Sequence, residues 1–269
     1  MAASAKFGPY RTIATASEGG LLRLTLNRPD NFNAMNPEMV AELRSLFAAL
    51  IDDPEIRVVM LRGAGRHFCA GLDLDDMGAI TASPASTART QRAYSELILA
   101  MRHCPQPVIA LINGAAVGAG FAIALAADVR YCAQDARVSV AMAKIGLTGT
   151  DMGISYFLPR AVGSGNASEL MMGGRFVDAQ KMLRIGLVSE VVPGDQLDAT
   201  GRTLADEMLA MSPLGLRLTK EGINAAQDAG SLAAVLAAED RAQIITIGRF
   251  MKEGAAAFKE KRRADYTGL

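Results

Sequence analysis

The apolar run Leu21–Leu26, closed by Asn27, Arg28 and Pro29, predicts a β-strand. Asn36-Pro37 then opens a helix, because Pro37 suits a first helical turn and Met39, Leu43, Leu46, Phe47 and Leu50 recur at helical spacing. Asp53-Pro54 stops it. Arg57–Arg62 (RVVMLR) predicts a second strand that runs into the turn Gly63-Ala64-Gly65. From Leu74 to about Thr90 the chain is polar and small, which predicts a mobile loop, and a helix follows from about Arg92 to Arg102. Pro107–Ile112 (PVIALI) predicts a third strand. It leads into the small-residue stretch Asn113–Gly120 and a buried helix, Phe121–Ala127. Short strands are expected at Asp128–Cys132, Arg137–Val140 and Val188–Val192. From Asp195 onward the pattern is helical. The segment Leu232–Ile247 is apolar on more than one face, so it belongs inside the fold or against another subunit. Strand–turn–helix order repeating in this way predicts an α/β fold with parallel strands and crossover connections.

A chain of 269 residues, half of them apolar, suits one large α/β domain or one domain with a helical appendage. Its 28 basic and 28 acidic residues balance, which argues against a nucleic-acid partner. Cys69, Cys104 and Cys132 are far apart in sequence and odd in number, as expected of reduced thiols. His67 and His103 form no metal-ligand spacing, so no metal site is expected. The first twenty residues lack the apolar core of a signal peptide, and the longest apolar stretch, Val117–Ala127, is too short to span a bilayer. A cytoplasmic protein without a membrane span is the expectation.

Two segments share a design: Gly65-Arg66-His67-Phe68-Cys69-Ala70-Gly71-Leu72-Asp73-Leu74, and Asn113 to Gly120. Each follows an apolar strand and is rich in small residues, which let a ligand approach the backbone closely. The second opens a helix whose first N–H groups have no helical acceptor. Together the loops are able to aim two N–H donors at one carbonyl oxygen, which defines an oxyanion hole. Either loop alone is equally well a tight turn beneath a packed helix. The spacing in GAAVGAG does not fit the dinucleotide fingerprint GxGxxG.

FCAGLDL, followed some forty residues later by PVIALINGAAVGAG, resembles the crotonase, or enoyl-CoA hydratase/isomerase, superfamily. LTLNRPDNFNAMN, RAVGSGNASELMMGGRFVDAQKMLRIGLVSEVV and SPLGLRLTK extend the resemblance from about Leu21 to about Lys261. It implies a spiral of ββα units over residues 1–200, carrying an acyl-CoA site, and a C-terminal helical oligomerisation region over 201–269 that makes trimers or hexamers. It places the oxyanion-hole N–H groups on Ala70 and Ala119. The path of the coenzyme A moiety falls on Arg28, Ala70, Gly71, Leu72, Asp73, Leu74 and Gly118, with Arg28 near the phosphates. Coenzyme A enters as part of the substrate, and no separate cofactor is implied.

The chain departs from the hydratase pattern at the two positions where such enzymes carry glutamates. These are Ala122 and Met142 here, and neither exchanges protons near neutral pH. One acid remains nearby. Asp151 matches an aspartate that serves proton transfer in dienoyl-CoA isomerases and attacks as a nucleophile in 4-chlorobenzoyl-CoA dehalogenases. It is equally placed to cap the helix that follows. Asp73, Asp75 and Asp76 fit a solvated loop or turn cap. Three readings stand: an isomerase using Asp151, a hydratase using Asp151 and other polar groups, and an acyl-CoA-binding homologue with weak or no catalysis. A dehalogenase is remote, because the chain has no Trp and few aromatic residues to stack on an aryl ring.

Overall fold

The structure, a computed structural model, describes residues 7–268. Strand β1 (Ile13–Glu18) pairs antiparallel with β2 (Leu21–Leu26) through the turn Gly19-Gly20. Helix α1 (Pro37–Ile51) follows, its N-terminus capped by Asn36, whose side chain accepts from the Met39 N–H at 2.9 Å. Then come β3 (Val58–Gly63), the single turn α2 (Met77–Ile80) and the long helix α3 (Pro84–His103). Strands β4 (Val108–Ile112) and β5 (Ala115–Val117), helix α4 (Ala119–Ala126), and strands β6 (Val129–Ala133) and β7 (Arg137–Ser139) make up the centre. A short 3-10 turn over Ala141–Ile145 precedes α5 (Ile154–Gly173), which is broken at Gly163. Strand β8 (Val177–Asp178), helix α6 (Ala179–Arg184) and strand β9 (Glu190–Val192) lead into α7 (Leu197–Leu209), α8 (Pro213–Asp228) and α9 (Leu232–Glu260).

The strands form two sheets. The larger has the order β1-β2-β3-β4-β6-β9, and every pairing after the first is parallel. The smaller has the order β5-β7-β8. The chain alternates between them: β4 lies in the large sheet, β5 in the small one, then α4 crosses, and β6 and β7 repeat the step. This ββα progression is the spiral expected from the sequence. The parallel strands β3 and β4 read as continuous apolar runs because both their faces are buried. Helices α1 and α3 pack on each other, and α7 lies against β3, β4 and β6.

Three sequence expectations need correction. The first strand, Ile13–Glu18, went unread because only alternate positions face inward and the segment shows no apolar run. The region expected as a mobile loop holds a 3-10 turn, α2 and the first two turns of α3. Helix α3 begins at Pro84, where Ser83 and Ser86 form a reciprocal capping box that outweighs the polar composition. Helix α9 continues well beyond Ile247, to Glu260.

The three cysteines are buried free thiols. Burial pushes Cys69 and Cys132 up to about 12 and Cys104 to about 11, so all three stay protonated near neutral pH. Among the described residues no helix is long and apolar enough to cross a membrane.

Candidate active site

The two small-residue loops meet. Cys69 pairs with Ala116 of β5 as an isolated parallel bridge: its N–H donates to Ala115 O at 3.1 Å, and its carbonyl accepts from Val117 N–H at 2.9 Å. On its other side the same segment pairs with Met35, whose N–H donates to Gly71 O at 2.7 Å and whose carbonyl accepts from Asp73 N–H at 3.0 Å. The stretch Cys69–Asp73 is therefore clamped along both edges. Glycine makes the closeness possible. A Cβ at position 120 would lie 2.3 Å from the Cys69 carbonyl oxygen, and one at position 114 would lie 2.1 Å from that of Arg66.

Two buried asparagines stitch the arrangement. The Asn113 side chain accepts from Gly63 N–H at 3.0 Å and donates to Gly63 O at 2.9 Å and Gly65 O at 3.0 Å. The Asn33 amide donates to Ala64 O at 2.9 Å and His67 O at 2.8 Å, while its oxygen accepts from Arg28 N–H at 2.9 Å. Each caps carbonyls that the turn after β3 would otherwise leave unmatched. Tyr94 of α3 adds an O–H bond to Met35 O at 2.7 Å.

The free N–H groups are not those expected at both positions. The Ala70 N–H donates to Phe32 O at 3.0 Å, so it is not an open donor, and Ala70 itself is exposed. The next open amide in this loop belongs to Leu72, whose N–H has no acceptor among the described residues. Gly71 sits between them at φ 100°, a left-handed conformation that reorients the chain from one amide to the next. In the second loop, Gly118 (φ 52°) spends its N–H on Ser139 O at 2.9 Å. Ala119, the first residue of α4, then has no acceptor among the described residues, as expected at a helix start. The two open amides belong to adjoining backbone: a Cβ on Gly71 would lie 3.5 Å from the Ala119 nitrogen. The sequence signal for Leu72 was Gly71 itself, since a glycine at positive φ singles out the peptide after it.

The Arg28 guanidinium forms an ion pair with Asp73 at 2.7 Å and donates to Ala34 O at 2.6 Å, with both side chains largely buried. Asp73 further accepts from Asp75 N–H at 3.2 Å, capping the 3-10 turn Leu74–Asp76. Both residues tie the first loop to the turn after β2. Leu74 is exposed, and Leu72 and Gly71 line the inner edge of the loop.

Ala122 is fully buried on α4 and Met142 is nearly so. Asp151 precedes α5 but does not cap it. The cap residue is Gly153, with no side-chain cap bond. The Asp151 Oδ1 instead accepts from Met152 N–H at 2.8 Å and from the Gln91 amide of α3 at 2.5 Å, and Oδ2 has no partner among the described residues. No hydrogen bond among the described residues links Asp151 to the two loops. The elements do connect, because α4, which begins at Ala119, packs against both α3 and α5. Met152 and Gly153, next in the chain, line a cavity of about 540 Å³ with Ser95, Ile98 and Tyr156.

His67, at the end of the first loop's approach, accepts from Ala115 N–H at Nδ1, 3.3 Å. Burial, and then the charges of Arg66 and Arg137, hold its imidazole below the ordinary histidine pKa.

The sequence pattern of the enoyl-CoA hydratase/isomerase family matches residues 16–268. A probable enoyl-CoA hydratase of Mycobacterium tuberculosis is 37% identical over 254 residues, covering 92% of this chain and 89% of that one. A 1,2-epoxyphenylacetyl-CoA isomerase of Escherichia coli is 35% identical over 259 residues, covering 95% and 98%. The crystal structure of a putative enoyl-CoA hydratase from Streptomyces coelicolor superposes with a TM-score of 0.92 at 36% identity, covering 100% of this chain and 98% of that one.

Proposed function

The chain belongs to the enoyl-CoA hydratase/isomerase family, and from that premise we propose that it isomerises an acyl-coenzyme A thioester through an enolate held by the Leu72 and Ala119 N–H groups. The observation that carries this reading is the pair of adjoining open amides. Hydrogen-bond donors fixed before the reaction stabilise charge that develops on a thioester oxygen without reorganising. Ala119 lends the N-terminal end of α4 as well, whose dipole favours negative charge.

Asp151 is the proton carrier in this proposal. Its Oδ1 is fixed by two donors and its Oδ2 has no partner among the described residues, which suits a carboxylate that takes a proton from one carbon and returns it at another. Hydration additionally asks for a held and activated water, and Ala122 and Met142 supply no group for that. The name of the Escherichia coli relative, an isomerase, is compatible with this choice, while that of the mycobacterial relative favours hydration. The exposed apolar side chains of α9, among them Leu232, Leu236, Ile244, Ile247 and Met251, support a homotrimer or hexamer as the working form.

Incubating the protein with 2-enoyl-, 3-enoyl- and dienoyl-CoA thioesters and following ultraviolet absorbance tests the reaction. Double-bond migration without loss of the enoyl chromophore to hydration supports the proposal. Hydration alone overturns the isomerase assignment. Binding of every thioester with no turnover makes the chain a non-catalytic acyl-CoA binder.

A further inference from the structure

A second cavity, of about 300 Å³, lies between the end of α4, strand β6, the first turns of α5 and helix α8. It shares no lining residue with the paired loops, and shares Arg102 and Phe157 with the cavity beside Met152 and Gly153. Its charge is unusual: Arg102, Arg130, Arg160 and Lys220 all line it, against a single carboxylate, Asp128.

That carboxylate is already shared. It accepts from Arg102 at 3.2 Å, from Lys220 at 2.9 Å and from the Val108 N–H at 2.8 Å. Arg130 forms no ion pair among the described residues. It donates to the carbonyls of Ala127 at 2.7 Å, Leu187 at 2.9 Å and Leu125 at 3.3 Å, and its Nη2 has no partner among the described residues. Arg160 is exposed at the rim. It donates to Tyr156 O at 2.9 Å and lies over the Tyr156 ring, 3.7 Å from its centroid. The cavity thus carries an excess of three positive charges. A partly enclosed site of one sign focuses its field, and a charge without a counter-ion there favours any anion that enters. Most of the remaining wall is carbon, from Leu125, Phe157, Ala161, Met208 and Leu216.

We propose that this cavity is an anion site separate from the thioester site, and that it takes a carboxylate carried on a short apolar body. The guanidinium groups would receive the carboxylate oxygens through charge-assisted hydrogen bonds. The aliphatic and aromatic wall would cover the hydrocarbon part.

Calorimetric titration of the full chain with octanoate tests the proposal, with octanol as the uncharged control and inorganic phosphate as the bare anion. We expect octanoate to bind at one site per chain, and octanol and phosphate each to bind at least roughly tenfold more weakly, as loss of a charge-assisted bond or of apolar burial implies. Arg160→Gln, on the exposed rim where folding is not at stake, should weaken octanoate by roughly tenfold. Ala161→Phe, which fills the space with carbon, should abolish binding. Saturating the protein first with octanoyl-CoA should leave the titration unchanged. The proposal is overturned by any of four results: no octanoate binding, equal binding of octanol or phosphate, unchanged binding in both variants, or displacement of octanoate by the thioester.

Discussion

The two loops and the segment that carries Asp151 make an instructive pair. The stretch Cys69–Asp73 is bonded along both edges, roofed by glycines that admit no side chain, and anchored by the buried Asn33 and Asn113. The stretch from Ile145 to Asp151 is mostly exposed, and the Asp151 carboxylate rests on one neighbouring N–H and one side-chain amide. The first region is over-determined, and what it offers is backbone N–H. The second is loosely held and carries Asp151, the acid of the proposed reaction. A scaffold that fixes backbone donors rigidly keeps its ability to stabilise an enolate while the proton-handling residue changes. On the proposed function, this division lets the chain keep the loops with Ala122 and Met142 in place of acids.

Breaking the rigid half should have the largest effect. Gly120→Val would place a Cβ 2.3 Å from the Cys69 carbonyl oxygen and 2.6 Å from the Cys69 Cβ. Backbone cannot move aside cheaply, so the stability loss should exceed about 4 kcal/mol, and the variant should fail to accumulate as folded protein. Urea unfolding or soluble yield reads this directly. Asn113→Ala comes next. It leaves the Gly63 N–H and the Gly63 and Gly65 carbonyls without their partner. At about 1–3 kcal/mol for a buried group left unmatched, unfolding free energy should drop by about 1–3 kcal/mol, mainly through the Gly63 N–H.

The loosely held half predicts the opposite pattern. Asp151→Asn should cost less than about 1 kcal/mol of stability, because the Asn oxygen still accepts from Met152 N–H and no helix cap is lost. Turnover in the thioester panel should fall roughly a hundredfold or more with little change in thioester affinity. Parental turnover in a folded Asp151→Asn protein would remove Asp151 from the mechanism.

The smallest expected effect is a pH dependence. The folded-state pKa of His67 lies below its unfolded value, so the folded protein disfavours the imidazolium. Stability from this group is fully present above about pH 6.5, the unfolded value, and is lost as pH falls below it toward the depressed folded value. Unfolding free energy measured between pH 7 and pH 5 should therefore slope downward toward acid, and more shallowly in His67→Gln. An identical slope in the variant would mean that other groups set it.

Much of this arrangement was legible before the structure. Val58–Leu61 and Val108–Ile112 were legible because parallel strands buried on both faces are near-continuous apolar runs, and Leu21–Leu26 because its leucines dominate a short segment closed by Asn27 and Pro29. The meeting of the two loops was legible from their glycines and from the strand that precedes each. The identity of the free donor was not. Composition marks a loop as small, but only the register against Met35 and Phe32 shows that the Ala70 N–H is occupied and the Leu72 N–H is open. The Arg28 position came from the resemblance alone, and its ion pair was not legible because Asp73 lies forty-five residues away. The cationic cavity drew no attention in the sequence because Arg102, Arg130, Arg160 and Lys220 come from four separate elements.

The central claim, that Leu72 and Ala119 hold an enolate, is tested most directly by deuterium exchange. A saturated acyl-CoA thioester in heavy water loses its α-proton only by way of the enolate, and NMR follows the loss without assuming which double bond the enzyme moves. Ala119→Pro removes one donor at the first position of α4, where proline is well tolerated, so the fold should persist. Exchange should fall by roughly a hundred- to a thousandfold, equivalent to about 2.7–4 kcal/mol. Exchange at the parental rate in folded Ala119→Pro protein would contradict the claim.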